Sequence, residues 1–366
     1  MKVAYFLGAL NQGGAESLLL DICRRWKELP YDLVCLYRKN GNMTEAFQQT
    51  GARLSQVFQG KKNLRSFIQF RKTVVDEGID IVHSQMPSST LLCGLALLGT
   101  KVKIVTTFHG HSFAKTSGFY RWFVYNRSRR IVCVSQYQKQ LYEQCWHLPQ
   151  QNKLSLVYNG IDFSKFHFQK SKGGDNAKTS GRNLQPEFNF CMVGNFQGGR
   201  SPMVICKALE KLKGENIKFY FIGRRVETEG WRYDECVDFC STHGLDNVFF
   251  LGGRGDVPEL LHQMDGYVYS TESDTFGISV IEAMAAGLPV VVNDWDVMKE
   301  VCTDDDNEWA TFFRSNDVDD CAEKIADLIQ NIDAYKEKAN RIVLQVRQKY
   351  SIEQHIGNLA KLYAEI

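Results

Sequence analysis

The fold is decided by one stretch of the chain, which reads Tyr267-Val-Tyr-Ser-Thr-Glu-Ser-Asp-Thr-Phe-Gly-Ile-Ser-Val-Ile-Glu-Ala-Met-Ala-Ala-Gly-Leu-Pro-Val-Val291. A run of aromatic and β-branched residues is followed by a polar loop that contains Asp274, and a helical pattern begins near Gly277. Gly287 ends that pattern, and a second β-branched run follows it. A strand, a helix and a second strand in this order predict a βαβ unit with parallel strands.

The same alternation extends to both sides of this unit. In the second half of the chain it predicts strands at residues 188–193, 218–222, 248–251, 267–269 and 289–292. In the first half it predicts strands at residues 2–7, 32–37, 80–84, 103–108, 130–134 and 153–158. Residues 168–187 are polar and contain three glycines, which is typical of a linker. The chain is therefore predicted to form two doubly wound α/β domains, at residues 1–167 and 188–350.

Open parallel sheets bind ligands at the carboxyl ends of their strands. Two such domains facing each other would form a central cleft, and such a cleft suits a substrate with two distinct halves.

The composition is that of a globular protein and excludes several classes. Among 366 residues, 44 are Lys or Arg and 42 are Asp or Glu, so the net charge of +2 indicates no whole-chain attraction to nucleic acid. The most apolar stretch, residues 90–99, is about half as long as the roughly 20 residues of a membrane span. The first residues predict a strand and not a signal peptide. The eleven cysteines include no Cys-x-x-Cys pair, so buried thiols in a reducing cytoplasm are favoured over a disulfide framework or a structural metal.

Loops between strands and helices provide candidate sites for anions. The helix of the 267–291 stretch opens with the amides of Phe276, Gly277 and Ile278, where a diphosphate would be stabilised. Arg200 precedes another helix, and its guanidinium would neutralise phosphate oxygens, with a solvated loop arginine as the alternative. A third strand is followed by two further cations, Arg224 and Arg225.

Other residues suit contacts with a sugar or a nucleoside. Glu282 lies among apolar neighbours, and a buried carboxylate needs partners such as the diol of a ribose, although a surface glutamate is the alternative. Gly13 and Gly14 follow the first strand, where they allow either close approach of an anion or a plain tight turn. His109, at the end of a strand, is a candidate catalytic group, with a structural histidine as the alternative; His111 is a weaker candidate.

Two stretches favour an ordinary structural interpretation. Residues 303–308 contain an Asp-x-Asp pair that can hold a divalent metal, but no second cluster of ligands is evident, so a solvated loop is predicted. Residues 119–130 combine aromatic side chains with four arginines. A helix that packs its aromatic residues inward is favoured there over one that lies on a membrane surface.

Together these stretches resemble the retaining glycosyltransferases of family four, which have the GT-B fold, and the resemblance covers nearly the whole chain. The motifs that carry it are Gly13-Gly14-Ala15-Glu16, Thr107-Phe-His-Gly110, Val157-Tyr-Asn-Gly-Ile-Asp162, the Val193-Gly194 loop, Phe276-Gly277 and Glu282-Ala-Met-Ala-Ala-Gly287-Leu-Pro-Val-Val. The resemblance implies two Rossmann-like domains that face a central cleft, with the acceptor bound mainly by the first domain and the donor by the second. It also implies that the final helix, residues 351–366, crosses back to the first domain.

The activity implied by the resemblance is transfer of a sugar from a UDP-sugar or GDP-sugar to an acceptor hydroxyl, with retained anomeric configuration and without a metal or another cofactor. By position, Glu282 would hold the ribose hydroxyls, and Asp274 would contact hydroxyls of the transferred sugar. His109 would contact the sugar near the reacting carbon. Arg200 and the three helix-opening amides would bind the diphosphate, and Gly14 would let the cleft close on it.

This chain departs from the family pattern at three positions. Asp274 replaces the usual glutamate, so the donor sugar cannot be inferred from the family. Asn195 stands where the family tends to have arginine, and Arg200 stands in place of its lysine. One phosphate-binding charge is therefore missing, and our hypothesis is that Arg224 or Arg225 supplies it.

The expected partners are a nucleotide-sugar and a carbohydrate or lipid-linked acceptor in polysaccharide or glycolipid synthesis, with no nucleic acid. A cytoplasmic protein is expected, with peripheral contact to the inner face of the membrane as an option. Two alternatives stay open: a sugar-nucleotide epimerase of the same fold, and an inactive subunit that binds sugar nucleotides. The donor base, the sugar, the acceptor and the oligomeric state are left open.

Overall fold

The structure is a computed structural model, and it describes residues 1–58, 63–111, 113, 116, 118–148, 153–166, 187–305 and 307–366. The chain forms two compact units. Unit 1 comprises Met1–Ile161 and Tyr350–Ile366, and unit 2 comprises Asp162–Lys349. The predicted linker, residues 168–187, lies outside the described residues except for Glu187.

Unit 1 contains a parallel sheet that has seven strands within the described ranges. The strands are β1 (Lys2–Ala9), β2 (Asp32–Lys39), β3 (Arg53–Gln56), β4 (Ile81–Ser84), β5 (Lys103–Phe108), β6 (Arg130–Cys133) and β7 (Leu154–Leu156). The helices are α1 (Gly14–Arg24), α2 (Thr44–Gln49), α3 (Leu64–Asp76), α4 (Pro87–Ala96), α5 (Gly118–Arg127), α6 (Gln136–Trp146) and, at the end of the chain, α14 (Ile352–Ala364). The strand order is β3-β2-β1-β4-β5-β6-β7, and each pair of neighbours is parallel.

Both faces of this sheet are buried, as its sequence pattern requires. In β1, Val3, Tyr5 and Leu7 pack into one core, whereas Ala4 and Phe6 pack into the other, because successive strand residues point to opposite faces. The first core includes α1 and α14, and the second includes α3 and α4. Burial on both faces explains why these strands are continuous apolar runs.

Unit 2 contains a second parallel sheet, with six strands among the described residues. They are β8 (Phe188–Val193), β9 (Ile217–Ile222), β10 (Val248–Gly252), β11 (Gly266–Tyr269), β12 (Val290–Asn293) and β15 (Thr311–Phe313). The helices are α7 (Pro202–Lys211), α8 (Trp231–Thr242), α9 (Val257–His262), α10 (Ile278–Ala285), α11 (Asp296–Val301), α12 (Val318–Gln330) and α13 (Ile332–Tyr350). The order is β10-β9-β8-β11-β12-β15, again with parallel neighbours. The prediction of two doubly wound α/β domains is confirmed.

Some local predictions differ from the structure. β3 and β15 were not predicted, because both are short edge strands, of four and three residues. The predicted solvated loop at residues 303–308 instead contains a small antiparallel pair, β13 (Thr303–Asp304) and β14 (Asn307–Glu308); Asp306 lies outside the described residues. Residues 162–166 were placed in the first domain but belong to unit 2, because the turn Phe163–Phe166 packs against α9 and α10.

The aromatic stretch at residues 119–130 does not pack wholly inward. In α5, Phe123 and Val124 are buried, as predicted. Phe119 and Trp122, however, are 69% and 58% exposed, so the prediction is wrong for these two side chains. They point away from the core because the side of α5 that packs on α4 is occupied by Phe123 and Arg127, next to Gly94.

Three features of the described residues concern thiols, metal ligands and membrane spans. Each of the eleven cysteines lies in the described ranges as a free thiol, and Cys145 is the exposed one. Within those ranges, no three His, Cys, Asp or Glu side chains stand together as a metal site would require. No helix among the described residues has the length and apolarity needed to cross a bilayer.

Candidate functional site

The main candidate site in unit 2 is formed where two neighbouring strands end. β8 and β11 are adjacent and parallel, so the loops that follow them meet at the carboxyl edge of the sheet. There Arg200 Nε donates a hydrogen bond to the Tyr269 hydroxyl at 3.1 Å. The Tyr269 hydroxyl in turn donates to Asp274 Oδ2, and Arg200 Nη2 lies 3.8 Å from Asp274 Oδ1. We call these three residues the charged cluster.

The loops that carry the charged cluster are held by further hydrogen bonds. The Gly199 carbonyl accepts from Thr271 Oγ1 at 2.5 Å and from the Glu272 amide at 2.8 Å. The side chain of Asn293, at the end of β12, accepts from the Thr271 amide at 2.9 Å and donates to its carbonyl at 2.8 Å. The Trp295 indole donates to the Asp274 carbonyl at 3.2 Å. Three strand ends thus hold the two loops against each other.

A glycine makes room for the arginine of the cluster. A Cβ at Gly194 would stand 2.6 Å from Arg200 Nε and 3.0 Å from its Cδ. Any larger residue at the end of β8 would therefore displace the guanidinium. This contact gives a physical reason for the glycine in the predicted Val193-Gly194 loop.

The charged cluster keeps its charge although it is mostly buried. The side chains of Arg200 and Asp274 are 17% and 21% exposed. Burial alone would lower the pKa of Arg200, but Tyr269 and Asp274 outweigh it, and the net pKa is raised above its usual value. Burial also raises the pKa of the Tyr269 hydroxyl, which therefore stays a neutral donor. The site presents a permanent guanidinium cation that an acidic partner holds in place.

The loop after β11, which carries Asp274, leads directly into the first turn of α10. Gly277 has φ of 77°, which a residue with a side chain rarely adopts, and a Cβ there would stand 2.7 Å from Met298 Cε. Its conformation lets α10 begin at Ile278 directly after the loop. The first amides of a helix have no acceptor within the helix, and helix N-termini of this kind bind anions. Glu282 is half-buried one turn further along, between the buried Ile281 and Ala283.

The two predicted additional cations have different surroundings. The Arg225 guanidinium forms a double hydrogen bond with Asp234 at 2.9 and 2.7 Å, and both side chains are about half exposed. The Arg224 side chain lies against Gly253, and its backbone amide donates to Asn195 Oδ1 at 3.0 Å. Asn195 thus joins the loops after β8 and β9. Asp234 neutralises Arg225. The predicted phosphate contact of Arg224 or Arg225 stays a prediction.

In unit 1, His109 lies at the carboxyl end of β5, next to the end of β4. Its Nε2 lies 3.0 Å from Gln85 Oε1, an acceptor, so Nε2 carries the proton and donates. Nδ1 is then the acceptor nitrogen of the neutral ring. The backbone amide of Gln85 donates to the Phe6 carbonyl of β1 at 3.2 Å. The ends of β1, β4 and β5 are therefore connected through Gln85.

His109 belongs to a group of three histidines, which we call the histidine cluster. His83 is buried, with its ring nitrogens at 2.5 Å from the Tyr363 hydroxyl and 2.7 Å from Thr107 Oγ1. His355 Nδ1 lies 2.7 Å from the Tyr158 carbonyl. Burial, followed by the proximity of His355, lowers the pKa of His109 to about 4. Burial likewise lowers the pKa of His355 to about 4 and that of His83 well below its usual value. All three rings are neutral at pH 7.

Gly13 and Gly14 lie where the sequence predicted, between β1 and α1. Gly13 precedes the helix in an extended conformation with φ of −165°, which any residue adopts. A Cβ on it would meet the mobile end of Glu16 at 2.6 Å. Backbone strain therefore gives no reason for glycine at position 13, and its predicted contact with the donor stays a prediction. Gly14 is the first residue of α1.

The structure brings Arg200 and Asp274 together and adds groups that the sequence analysis missed. Tyr269 was predicted only as a strand residue, although a buried tyrosine hydroxyl requires a hydrogen-bond partner and is therefore a signal. Gln85 directly follows a strand, and that position was the available signal. His83 lies inside a strand, and no pattern in the sequence marks it.

Both halves of the chain match models of known families. The model described as Glycosyltransferase Family 4 matches residues 12–165, and the model described as Glycosyl transferases group 1 matches residues 175–349. An Escherichia coli protein named UDP-Gal:alpha-D-GlcNAc-diphosphoundecaprenol alpha-1,3-galactosyltransferase is 25% identical over 247 residues, which cover 64% of this chain and 62% of that protein. The O-antigen biosynthesis glycosyltransferase WclY of Escherichia coli is 20% identical over 319 residues, which cover 82% of each protein.

A solved structure is similar over its full length. The crystal structure of Anabaena Alr3699/HepE in complex with UDP-glucose matches with a TM-score of 0.85 and 16% identity, and the match covers 100% of both chains. This likeness confirms the predicted GT-B fold class, with two Rossmann-like domains in one chain. The central cleft stays an expectation from the sequence. Nothing in the matches supports the sugar-nucleotide epimerase that the sequence left open.

Proposed function

Since this chain belongs to the glycosyltransferases of family 4, we propose that it transfers a sugar from a UDP-sugar to an acceptor hydroxyl, with retention of configuration and without a metal ion. The observation that carries the proposal is the charged cluster beside the first turn of α10. This arrangement combines a permanent cation with helix-terminal amides, and a nucleoside diphosphate needs both.

The chemistry follows from where charge develops. Breaking the anomeric bond leaves additional negative charge on the diphosphate and positive character on the sugar. Arg200 and the amides that open α10 stabilise the diphosphate, because they are oriented before the reaction begins. The departing phosphate oxygen takes the proton of the acceptor hydroxyl on the same face of the sugar. This assignment uses no protein nucleophile and no Lewis acid.

The sugar itself would be held by uncharged and acidic groups. Asp274 accepts hydrogen bonds from hydroxyls of the transferred sugar, and its carboxylate lies next to Arg200, which binds the diphosphate. His109 is neutral, with Nε2 donating to Gln85, so its predicted contact with the sugar would be a neutral hydrogen bond. Glu282 holds the two ribose hydroxyls of the nucleotide.

The choice of UDP and of the acceptor class is drawn from the relatives. The galactosyltransferase is named for UDP-Gal and for a diphosphoundecaprenol-linked acceptor, and HepE was solved with UDP-glucose. We infer a lipid-linked sugar as the acceptor, in polysaccharide synthesis, and peripheral contact of this cytoplasmic protein with the membrane that holds it.

The donor site is tested by thermal shift with UDP, GDP, ADP and their sugars. A ligand at about a hundred times its dissociation constant stabilises a protein by about 2.7 kcal/mol, which is visible as a rise in Tm. We expect that rise with UDP and UDP-sugars in the wild type, and its loss in Glu282→Ala. Glu259→Ala removes an exposed helical glutamate of unit 2 and should keep the rise.

The outcomes separate the remaining alternatives. A rise in Tm with GDP only would show that the donor is a GDP-sugar and not a UDP-sugar. No rise with any nucleotide would contradict the donor site. Binding without transfer to lipid-linked acceptors would favour the inactive binding subunit. Where transfer occurs, NMR of the product reports the anomeric configuration, and activity retained in excess EDTA supports metal independence.

The second phosphate contact is tested with the paired arginines. We expect Arg224→Ala to raise the donor KM about tenfold, the size of one hydrogen bond to a charged group. Arg225→Ala should leave KM nearly unchanged, because Asp234 already neutralises that guanidinium. If neither variant changes KM, neither arginine supplies the phosphate-binding charge that is missing at Asn195, and the hypothesis is wrong.

A further inference from the structure

The outer surface of α3 in unit 1 carries large apolar side chains. Leu64, Ile68 and Val75 are 76%, 58% and 51% exposed. They are spaced by four and seven residues, so they lie on one side of the helix. The opposite side of α3 already fills the core with Phe70 and Val74. The core of unit 1 therefore does not require the exposed apolar side chains of α3.

The neighbouring helices repeat this feature. Leu95 at the end of α4 and Leu98 just after it are 41% and 50% exposed. On α5, Phe119 and Trp122 are 69% and 58% exposed, and their ring centroids are 5.5 Å apart. A monomer commonly exposes single apolar side chains, but six on three successive helices and a seventh directly after one of them are a clustered feature.

These helices form one continuous layer. α4 packs against α3 on one side and α5 on the other. Arg71 of α3 donates to the Leu98 carbonyl at 2.5 Å. On the other side, Gly94 of α4 lies so close to α5 that a Cβ would stand 2.9 Å from Phe123. The seven exposed side chains therefore belong to a single surface, which we call the α3–α5 face.

The same part of the chain is strongly basic. Residues 61–130 contain twelve Lys or Arg and three Asp or Glu, although the whole chain has a net charge of only +2. Arg65 and Lys72 are exposed on α3, and Lys101 is exposed in the segment after α4. Of the three acidic residues, Glu77 is paired with Arg53 at 3.0 Å. The three helices themselves contain five Lys or Arg and one acidic residue, Asp76. The α3–α5 face thus combines apolar side chains with an excess of positive charge.

We propose that the α3–α5 face docks on a bilayer that contains anionic lipids. Aromatic and aliphatic side chains enter the boundary between headgroups and acyl chains, while lysines and arginines contact phosphate groups. A tryptophan beside an arginine is well suited to that boundary. The proposal deepens the proposed function and depends on it only for the reason to approach a membrane, namely a lipid-linked acceptor.

The test is sedimentation of the full chain with vesicles of phosphatidylcholine alone and of phosphatidylcholine with phosphatidylglycerol. We expect binding to the anionic vesicles, weak binding to the zwitterionic ones, and weakening in 0.5 M NaCl because exposed charges are screened. Phe119→Ser with Trp122→Ser should weaken binding about tenfold or more, because two aromatic side chains no longer enter the interface. Arg65→Glu with Lys72→Glu should reduce it to the level seen with zwitterionic vesicles.

Trp231→Ser is the matched control. Trp231 is 52% exposed and stacks with Arg232, but it lies on α8 in unit 2. It should leave vesicle binding unchanged. Equal loss in this variant, or no binding of the wild type to anionic vesicles, would overturn the proposal. A dimer that the Phe119 and Trp122 changes dissociate, without vesicle binding, would also overturn it and assign the face to a second copy.

Failure of this proposal is distinguishable from failure of the proposed function. The Tm rise with UDP is measured on the same variants, and it should persist in the Phe119 and Trp122 double variant, which also shows that this variant folds. Loss of vesicle binding with the Tm rise intact supports the docking surface. A wild type that binds anionic vesicles but no nucleotide would contradict the transferase and leave the docking surface standing.

Discussion

The two units have the same architecture, but their candidate residues differ in charge. Those of unit 2 are a cation and a carboxylate, and those of unit 1 are neutral histidines. In each unit the residues follow central strands of a parallel sheet and are largely buried. In unit 2, Arg200 keeps its charge because Asp274 and Tyr269 contact it. In unit 1, burial lowers the pKa of His109 and His355 to about 4, so the rings are neutral.

The difference shows how the fold distributes charge. A buried cation persists where a carboxylate stands beside it, and a buried histidine loses its proton where only neutral partners are near. The proposed substrates differ in the same way, because a diphosphate needs a cation and sugar hydroxyls need neutral donors and acceptors. We therefore assign the charge-stabilising part of catalysis to unit 2 and neutral hydrogen bonding to unit 1.

The largest effect should come from removing the cation of the charged cluster. Arg200→Ala is expected to lower kcat about 10²- to 10³-fold, which corresponds to about 2.7–4 kcal/mol for a preorganised group that stabilises developing charge. Arg200→Lys keeps the charge that this family usually places there, and it should lose no more than about tenfold. Steady-state kinetics with a UDP-sugar measures both variants.

Arg254→Ala is the control for Arg200→Ala. Arg254 also forms a double hydrogen bond with a carboxylate, that of Asp256, but both are exposed in a loop after the edge strand β10. Its loss should change kcat less than twofold. An Arg200→Ala enzyme within about twofold of the wild type would show that the charged cluster is structural and would remove the main support for the proposed site.

A smaller effect is expected from acid, and it should arise in unit 1. The pKa of an unfolded histidine is about 6.5, whereas those of His109 and His355 are lowered to about 4. Between these values the unfolded state binds more protons than the folded state, so the free energy of unfolding decreases as pH falls from 6.5 to 4. Each such histidine contributes at most about 1.4 kcal/mol per pH unit.

Urea denaturation at pH 7.5, 6.0 and 5.0 measures this dependence. His355→Gln removes one titrating group and should make the loss of stability with acid less steep by about one proton. An equal slope in the wild type and in His355→Gln would mean that His355 is protonated in the folded chain.

The sequence predicted the features that repeat along the chain. The alternation of β-branched runs with helical patterns led to both sheets. The edge strands β3 and β15 were missed, because they are only four and three residues long. Arg200 and Asp274 were predicted singly, since each follows a strand. Their contact through Tyr269 joins residues that are 69 and 5 positions apart. Such a contact depends on the order of strands in the sheet, which local patterns do not contain.

The exposed side chains of α5 illustrate the same limit. A helical pattern shows that a residue is apolar, but it does not show that another side chain has already filled the core. Phe123 fills that position, and Phe119 and Trp122 are left outside. The histidine cluster was hidden for a similar reason, because His355 comes from the final helix and His83 from β4.

The smallest effect, and the sharpest test of the charged cluster, comes from the Tyr269 hydroxyl. Tyr269→Phe leaves Arg200 Nε and Asp274 Oδ2 each without one partner, which costs about 1–3 kcal/mol of stability for partly buried groups. Because Arg200 is then less well positioned, the donor KM should rise about fivefold while kcat changes less.

Tyr267→Phe is the matched control, because it lies on the same strand and is equally buried. Its hydroxyl bonds Ser279 Oγ at 2.9 Å and the Val193 carbonyl at 3.2 Å and does not hold the guanidinium. Tyr267→Phe should therefore lose comparable stability with little change in KM. If both variants lose stability and neither changes KM, Tyr269 supports only the fold. A rise in KM in Tyr269→Phe alone would show that the hydroxyl positions the cation that distinguishes unit 2 from unit 1.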